Sequence, residues 1–281
     1  MKIGMNLLLW TAHVTPADAP LLNSLKKTGF DGVEIPLFQG DAAHYRAVRK
    51  VLDDAGLQCT TVTVMSADKN PVSPDSNIRQ AALDHLHWAL DMSAALGADA
   101  LAGPVHSALG VFSGNAPTAD ERRRSADVLR DAGRHAASAK TTIAIEYLNR
   151  FESYVLTTAA DARNLVDAIN LPNVGMMWDS FHGHIEEKNS AAEIRASAKQ
   201  IVHVHISEAD RGVPGTGQVH WDETFDALRA INYDRWMTIE AFGRALPDLA
   251  AATRVWRDLF ASPDDVTTGG LAFIRKQLAR R

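Results

Sequence analysis

Between Thr142 and Glu240 four short apolar runs, TIAIE (142–146), VGMMWD (174–179), IVHVHI (201–206) and WMTIE (236–240), each close on or beside a carboxylate or an imidazole. The residues concerned are Glu146, Asp179, His205 and Glu240, separated by 33, 26 and 35 positions. Each interval has the length of one strand plus one helix. Polar groups at the carboxyl ends of successive parallel strands of an α/β barrel converge on one mouth. The reading is therefore of a single (β/α)8 barrel, with these four strands as its fifth to eighth.

Working outward, four further β-type runs precede them, at 2–8, 32–36, 58–64 and 99–103. The later runs extend over 142–147, 174–179, 201–206 and 236–241. Between the runs lie helical patterns with recognisable starts and stops. Thr15-Pro16 offers a cap and a first-turn proline, and Gly29 stands where that helix should end. Thr118 with Glu121, and Ser190 with Glu193, have the spacing of a capping box. From Ile78 to Leu96, Ala82, Leu86, Leu90 and the Ala94–Ala95 pair recur at helical intervals. The long connections 66–76, 105–118, 182–190 and 207–222 all follow strands, so all should roof the same mouth. No low-complexity linker interrupts the series, and residues 1–281 read as one barrel domain.

The composition is that of an ordinary globular chain, 46% hydrophobic and 22% charged. A net charge of −5 supplies no general attraction to nucleic acid or to an anionic membrane. The lone Cys59 excludes an internal disulfide and reads as a small apolar core residue. The N-terminus MKIGMNLLLW reads as a first strand rather than a secretion signal, and no run approaches the ~20 apolar residues of a membrane helix. The expected location is the cytoplasm.

His203 and His205 alternate with Val202 and Val204, so both point to one face. A strand facing helices would be apolar there, which puts both rings inside the barrel. His205, nearer the carboxyl end, is the candidate ligand and His203 its hydrogen-bonded neighbour. Crowded carboxylates need neutralising. Glu146, Asp179, His205 and Glu240 thus suggest an oxygen-rich site for a divalent cation, Mn²⁺ first, with Co²⁺ or Mg²⁺ as alternatives and Zn²⁺ after them. Glu146 and Glu240 end the arc on its two sides and would face each other across the ion. A pair of opposed glutamates can take a proton from one face of a carbon and return one to the other, which inverts a stereocentre.

At these residues the chain resembles the ketose 3-epimerases, the D-tagatose and D-allulose (psicose) 3-epimerases, within the xylose-isomerase-like barrels. The segments that carry the likeness are IEYLNRFE (145–152), WDSFHGHIEE (178–187), VHVHISEADRGVPGTG (202–217) and IEAFGR (239–244). The match covers the C-terminal half, from about Ile143 to Asp258, with only fragments such as GFDGVEI before it. The resemblance implies that Glu146, Asp179, His205 and Glu240 bind the metal, with Glu146 and Glu240 also the acid/base pair. It implies that Glu152, His182 and Arg211 hold the carbonyl end of a sugar. Read without it, Glu152 could pair with Arg150, Arg211 could be a solvated loop charge, and His182 could sit at a capped helix start. The chain departs from the family at Ser180, where Thr is usual, at Gly183-His184, where Met-Asn is usual, and in the loops after the first and third strands. Those loops shape the far end of the pocket.

An aldose–ketose isomerase (hydroxypyruvate-isomerase-like) or an inosose-dehydratase-like lyase on the same ligands stays open as an alternative. An endonuclease IV-like reading wants more histidine ligands and a basic groove. A sugar-binding protein without catalysis would more often have lost a ligand. The expected partners are a small-molecule sugar and further copies of this chain, as a homodimer or homotetramer such as the family commonly forms; Trp256 is expected to pack in the core.

Overall fold

The computed structural model describes residues 1–280. Its strands are β1 (Lys2–Asn6), β2 (Gly32–Pro36), β3 (Gln58–Val62), β4 (Ala100–Gly103), β5 (Thr142–Glu146), β6 (Val174–Asp179), β7 (Ile201–Ile206) and β8 (Trp236–Ile239). They pair in parallel in chain order, and β8 returns to β1 through Lys2↔Trp236 and Gly4↔Thr238, closing the barrel. The outer ring includes α1 (Ala19–Thr28), α2 (Ala42–Ala55), α3 (Ser76–Leu96), α4 (Ala119–Ala139), α5 (Ala159–Ile169), α6 (Ser180–Glu186), α7 (Ser190–Ala196), α8 (Trp221–Ala230), α9 (Pro247–Thr253) and α10 (Gly270–Leu278). No helix among the described residues is long and apolar enough to cross a membrane.

The two faces of the strands differ in chemistry. Ile143, Ile145, Met176, Trp178, Val204, Ile206 and Ile239 belong to the large apolar core that also holds Leu86, Leu129 and Leu165 of the helices. The alternate residues face inward and are small or polar: Ala102, Ala144, Thr60, Glu34, Asn6, His203, His205 and Thr238, all buried. The main hydrophobic stabilisation thus lies between sheet and helices, and the barrel's interior is left to polar groups that must satisfy one another. Cys59 is buried, and burial pushes its thiol up to about 12, which keeps it protonated and inert.

The helix signals work where the local geometry matches them. Thr15 caps the 3₁₀ turn Pro16–Asp18 that leads into α1, and Gly29 ends α1 at φ +112°. At α4 the Thr118–Glu121 box is complete, with Glu121 N–H donating to Thr118 Oγ1 at 3.2 Å and Thr118 N–H to Glu121 Oε2 at 2.7 Å. The Ser190–Glu193 box does not form. Asn189, one residue earlier, takes the cap by accepting from Ala192 N–H at 2.9 Å, and the Ser190 hydroxyl turns to the Gly183 carbonyl. The connection after β6 is also not a loop from His182 onward: α6 runs to Glu186 because Asp179 Oδ1 accepts from Phe181 N–H at 2.6 Å and starts the helix. Trp256 is 67% exposed rather than packed in the core, since it lies past α9 on the rim.

Candidate active site

Glu146 is the last residue of β5, Asp179 the last of β6, His205 the penultimate residue of β7, and Glu240 directly follows β8. The staggered register brings Asp179 level with His205, and His205 level with Thr238. All four side chains are buried, and one ligand-type atom from each lies within 4.8 Å of every other. His205 Nδ1 is 3.3 Å from Glu240 Oε1 and 3.7 Å from Asp179 Oδ2. Asp179 divides its work: Oδ1 caps α6, and Oδ2 faces the site.

The electrostatics of this cluster call for positive charge. Burial and the facing carboxylates of Glu240 and Asp179 push Glu146 well above the usual carboxylate range. Burial would also favour protonated Asp179, but Arg211 and the neighbouring imidazoles of His205 and His182 hold it below that range. Burial works to lower His205, yet Glu34, Glu240 and Asp179 raise it well above an ordinary imidazole. Its Nδ1 is buried, with no well-aligned hydrogen-bond partner, and points among carboxylate oxygens. A cation placed there relieves the repulsion among the carboxylates and gives Nδ1 a partner, so the donor set fits a divalent metal.

Arg211, at φ +65° in the loop after β7, is 6% exposed and so is no solvated loop charge. Its Nη1 donates to Glu240 Oε2 at 2.7 Å, to Asp179 Oδ2 at 3.0 Å and to Ser207 Oγ at 2.9 Å. Its guanidinium stacks on Phe181, 3.7 Å from the ring centre. His182 accepts the Asn149 backbone N–H on Nδ1 at 2.9 Å, which leaves its proton on Nε2. That nitrogen lies 3.1 Å from Arg211 Nη2 and 3.4 Å from Glu146 Oε1. Burial pushes His182 down to about 3, so the ring is neutral. Glu152 stands on the same rim, accepting from Asn149 Nδ2 at 2.8 Å. Arg150 pairs with Glu186 instead, at 3.0 Å.

Sequence reasoning missed Glu34 and Glu208. Glu34 sits between Val33 and Ile35 on β2, the same alternation that put His205 inside the barrel, and its Oε1 is 2.6 Å from His205 Nε2. Burial works to raise Glu34, but His205 and His203 hold it below the usual carboxylate range. Glu208 organises the loop that carries Arg211. Its carboxylate accepts from the backbone N–H groups of Ala209, Gly215 and Val219 and from Trp221 Nε1, at 2.8–3.1 Å. Gly217 passes so close that a Cβ there would lie 2.5 Å from Glu208 Oε1. At Ser180 the hydroxyl still links the elements, donating to the Ser207 carbonyl at 2.8 Å.

Glu208→Gln should cost about 2–3 kcal/mol, the worth of charge-assisted bonds exchanged for one amide oxygen, read as a lower urea midpoint. Burial opposes the charge, but the N–H donors hold Glu208 below the ordinary glutamate range. Its contribution is therefore full at neutral pH and drains away as pH falls through that lowered value. The variant should flatten this acid limb of the stability curve.

The cleft above these groups spans about 710 Å³ with its open mouth, and apolar residues including Leu8, Phe38, Val62, Pro104 and Phe242 face Glu146, Glu152, His182, Arg211 and Glu240 across it. Trp10 packs against the core rather than lining the cleft. The profile of the xylose isomerase-like TIM barrels matches residues 22–277. The chain belongs to that family. Within it the likeness is to ketose 3-epimerases: a ketose 3-epimerase of Arthrobacter globiformis is 34% identical, covering 99% of this chain and 97% of its own. Among solved structures, an L-ribulose 3-epimerase superposes with TM-score 0.93 at 30% identity, covering 99% of this chain and 94% of its own. A D-allulose 3-epimerase from Methylomonas sp. superposes with TM-score 0.92 at 29% identity, covering 99% and 98%. The kinship thus runs the length of the chain and is not confined to the C-terminal half. This member of the ketose 3-epimerase family is an epimerase, an enzyme of the isomerase class.

Proposed function

We propose that the chain is a metal-dependent ketose 3-epimerase that inverts C3 of a free ketohexose or ketopentose through a cis-enediolate. One observation carries the reading: two buried glutamates reach a single site from the two ends of a four-strand arc, Glu146 at the end of β5 and Glu240 just past β8. Glu146, Asp179, His205 and Glu240 would hold the divalent ion, Mn²⁺ before Co²⁺ or Mg²⁺. The ion supplies Lewis-acid polarisation of the ketose carbonyl, which acidifies the C3–H bond. One glutamate takes the C3 proton from one face, and the other returns a proton to the opposite face.

The remaining groups bind and orient. His182 Nε2–H and Arg211 Nη2–H are donors facing each other at 3.1 Å, and neither satisfies the other. A carbonyl or hydroxyl oxygen of the sugar satisfies both, and Glu152 accepts a neighbouring hydroxyl. Arg211 is the one cationic side chain among the cleft-lining residues, and it is committed to Asp179 and Glu240. That supports a free sugar over a phosphate ester. The relatives named as ketose 3-epimerases support the same chemistry. Assembly as a homodimer or homotetramer is supported by exposed Phe112, Phe151 and Trp256, and a cytoplasmic location by the free, buried thiol of Cys59.

The test is a panel of ketohexoses and ketopentoses with metal-loaded protein in D₂O, read by NMR. Deuterium should enter at C3 as a second ketose accumulates. Deuterium confined to C1 or C2 with an aldose forming would assign an aldose–ketose isomerase instead. Loss of water from the substrate would assign a lyase.

A further inference from the structure

Glu34 is fully buried on β2, across the barrel from β7. Its register neighbours Asn6 on β1 and Thr60 on β3 both donate to it, Asn6 Nδ2 to Oε1 at 3.0 Å and Thr60 Oγ1 to Oε2 at 2.9 Å. Those two donors fix the carboxylate in place. Two imidazoles then approach it: His205 Nε2 at 2.6 Å from Oε1 and His203 Nε2 at 2.9 Å from Oε2.

We propose that Glu34 is the positioning residue that makes His205 a metal ligand, by holding the proton on Nε2 so that Nδ1 presents its lone pair to Glu146, Asp179 and Glu240. This rests on the reading of those three carboxylates and His205 as the ligand set. A carboxylate can only accept, so the 2.6 Å contact requires hydrogen on Nε2. In the other tautomer Nδ1–H would stand where the ion belongs. The contact also stops rotation of the ring, and it raises the basicity of the ligating nitrogen. Asn6 ties this arrangement to a second ligand, since its Nδ2 also lies 3.4 Å from Glu240 Oε1.

Glu34, His203 and His205 also form a three-residue cluster of metal-ligating type. The contacts decide against an ion there. Two ligands bonded to one metal at about 2.1 Å each stand roughly 3 Å or more apart, and Glu34 and His205 are closer than that at 2.6 Å. The cluster is a support beneath a single ion, with His205 hydrogen-bonded to Glu34 and His203 packed against the other carboxylate oxygen.

The test uses Glu34→Gln and Thr60→Val beside the unmodified chain, each stripped of metal and titrated with Mn²⁺ by calorimetry, with fold checked by circular dichroism. Glu34→Gln should bind Mn²⁺ about 10–100-fold more weakly. Thr60→Val, which loses one of the two donors to the same carboxylate but keeps the imidazole contact, should weaken binding by less than Glu34→Gln does. Long-range ¹H–¹⁵N spectra of the unmodified Mg²⁺-loaded chain should show His205 protonated on Nε2 and not on Nδ1, whether or not the Gln variant folds. Equal affinity in a folded Glu34→Gln, a proton on Nδ1, or two ions per chain would each overturn the role of Glu34. An unmodified chain that binds neither ion would overturn the ligand set as well.

Discussion

With metal saturating, Glu146→Gln and Glu240→Gln should each lose about 10²–10⁴-fold in epimerisation, the range for removal of a positioned acid/base. They should fail in different ways. A carboxamide neither takes nor returns a proton at C3, so each variant keeps chemistry on one face of the carbon alone. In D₂O, Glu240→Gln should still exchange C3–H of the epimer whose proton faces Glu146, without making the other epimer. Glu146→Gln should exchange only the opposite epimer. Both residues also belong to the proposed ligand set, so each assay is paired with metal analysis of the loaded protein. If one variant abolished exchange of both epimers while the other abolished neither, a single base would be doing both transfers, and the opposed-pair mechanism would be wrong.

Removing the ion should have the second large effect. Chelation should abolish turnover and lower the melting temperature, with both restored by Mn²⁺. Glu146, Asp179 and Glu240 then have Arg211 as their nearest fixed cation, paired with Asp179 at 3.0 Å and with Glu240 at 2.7 Å and leaving Glu146 without that contact. An ion present at 100 times its dissociation constant stabilises by about 2.7 kcal/mol, which in a chain of this size is several degrees. Scanning calorimetry across a Mn²⁺ titration measures it. Full turnover by protein shown by elemental analysis to be free of metal would remove the ion from the mechanism.

Much of this was legible in the sequence because barrel strands write their two faces differently. The runs that end in Glu146, Asp179, His205 and Glu240 gave strand order, the inward face and the cluster at once, and the structure brings these side chains to one mouth. Glu34 was passed over because V-E-I is too short to separate an inward carboxylate from a solvated strand end; its imidazole partners come from β7, far along the chain. Glu208 was missed because its role lies in N–H groups that converge only after the loop folds. The displaced cap at Asn189 shows the limit of spacing rules: Ser190 matched the motif, but the backbone turns one residue earlier. Trp256 misled because an aromatic residue carries no mark of which side of a rim it occupies.

Chemistry and support are drawn from opposite halves of this barrel. The strands that bring Glu146, Asp179, His205 and Glu240 to the mouth come from the second half of the chain, while Asn6, Glu34 and Thr60 come from the first. Neither half is a catalyst in miniature. Duplication or exchange of half-barrels during evolution would therefore have had to preserve an agreement between two sets of interior residues, and not merely a shape that closes. Metal affinity, for the same reason, depends on completion of the seam between β8 and β1: with that seam open, Asn6 and Glu34 would stand apart from Glu240 and His205.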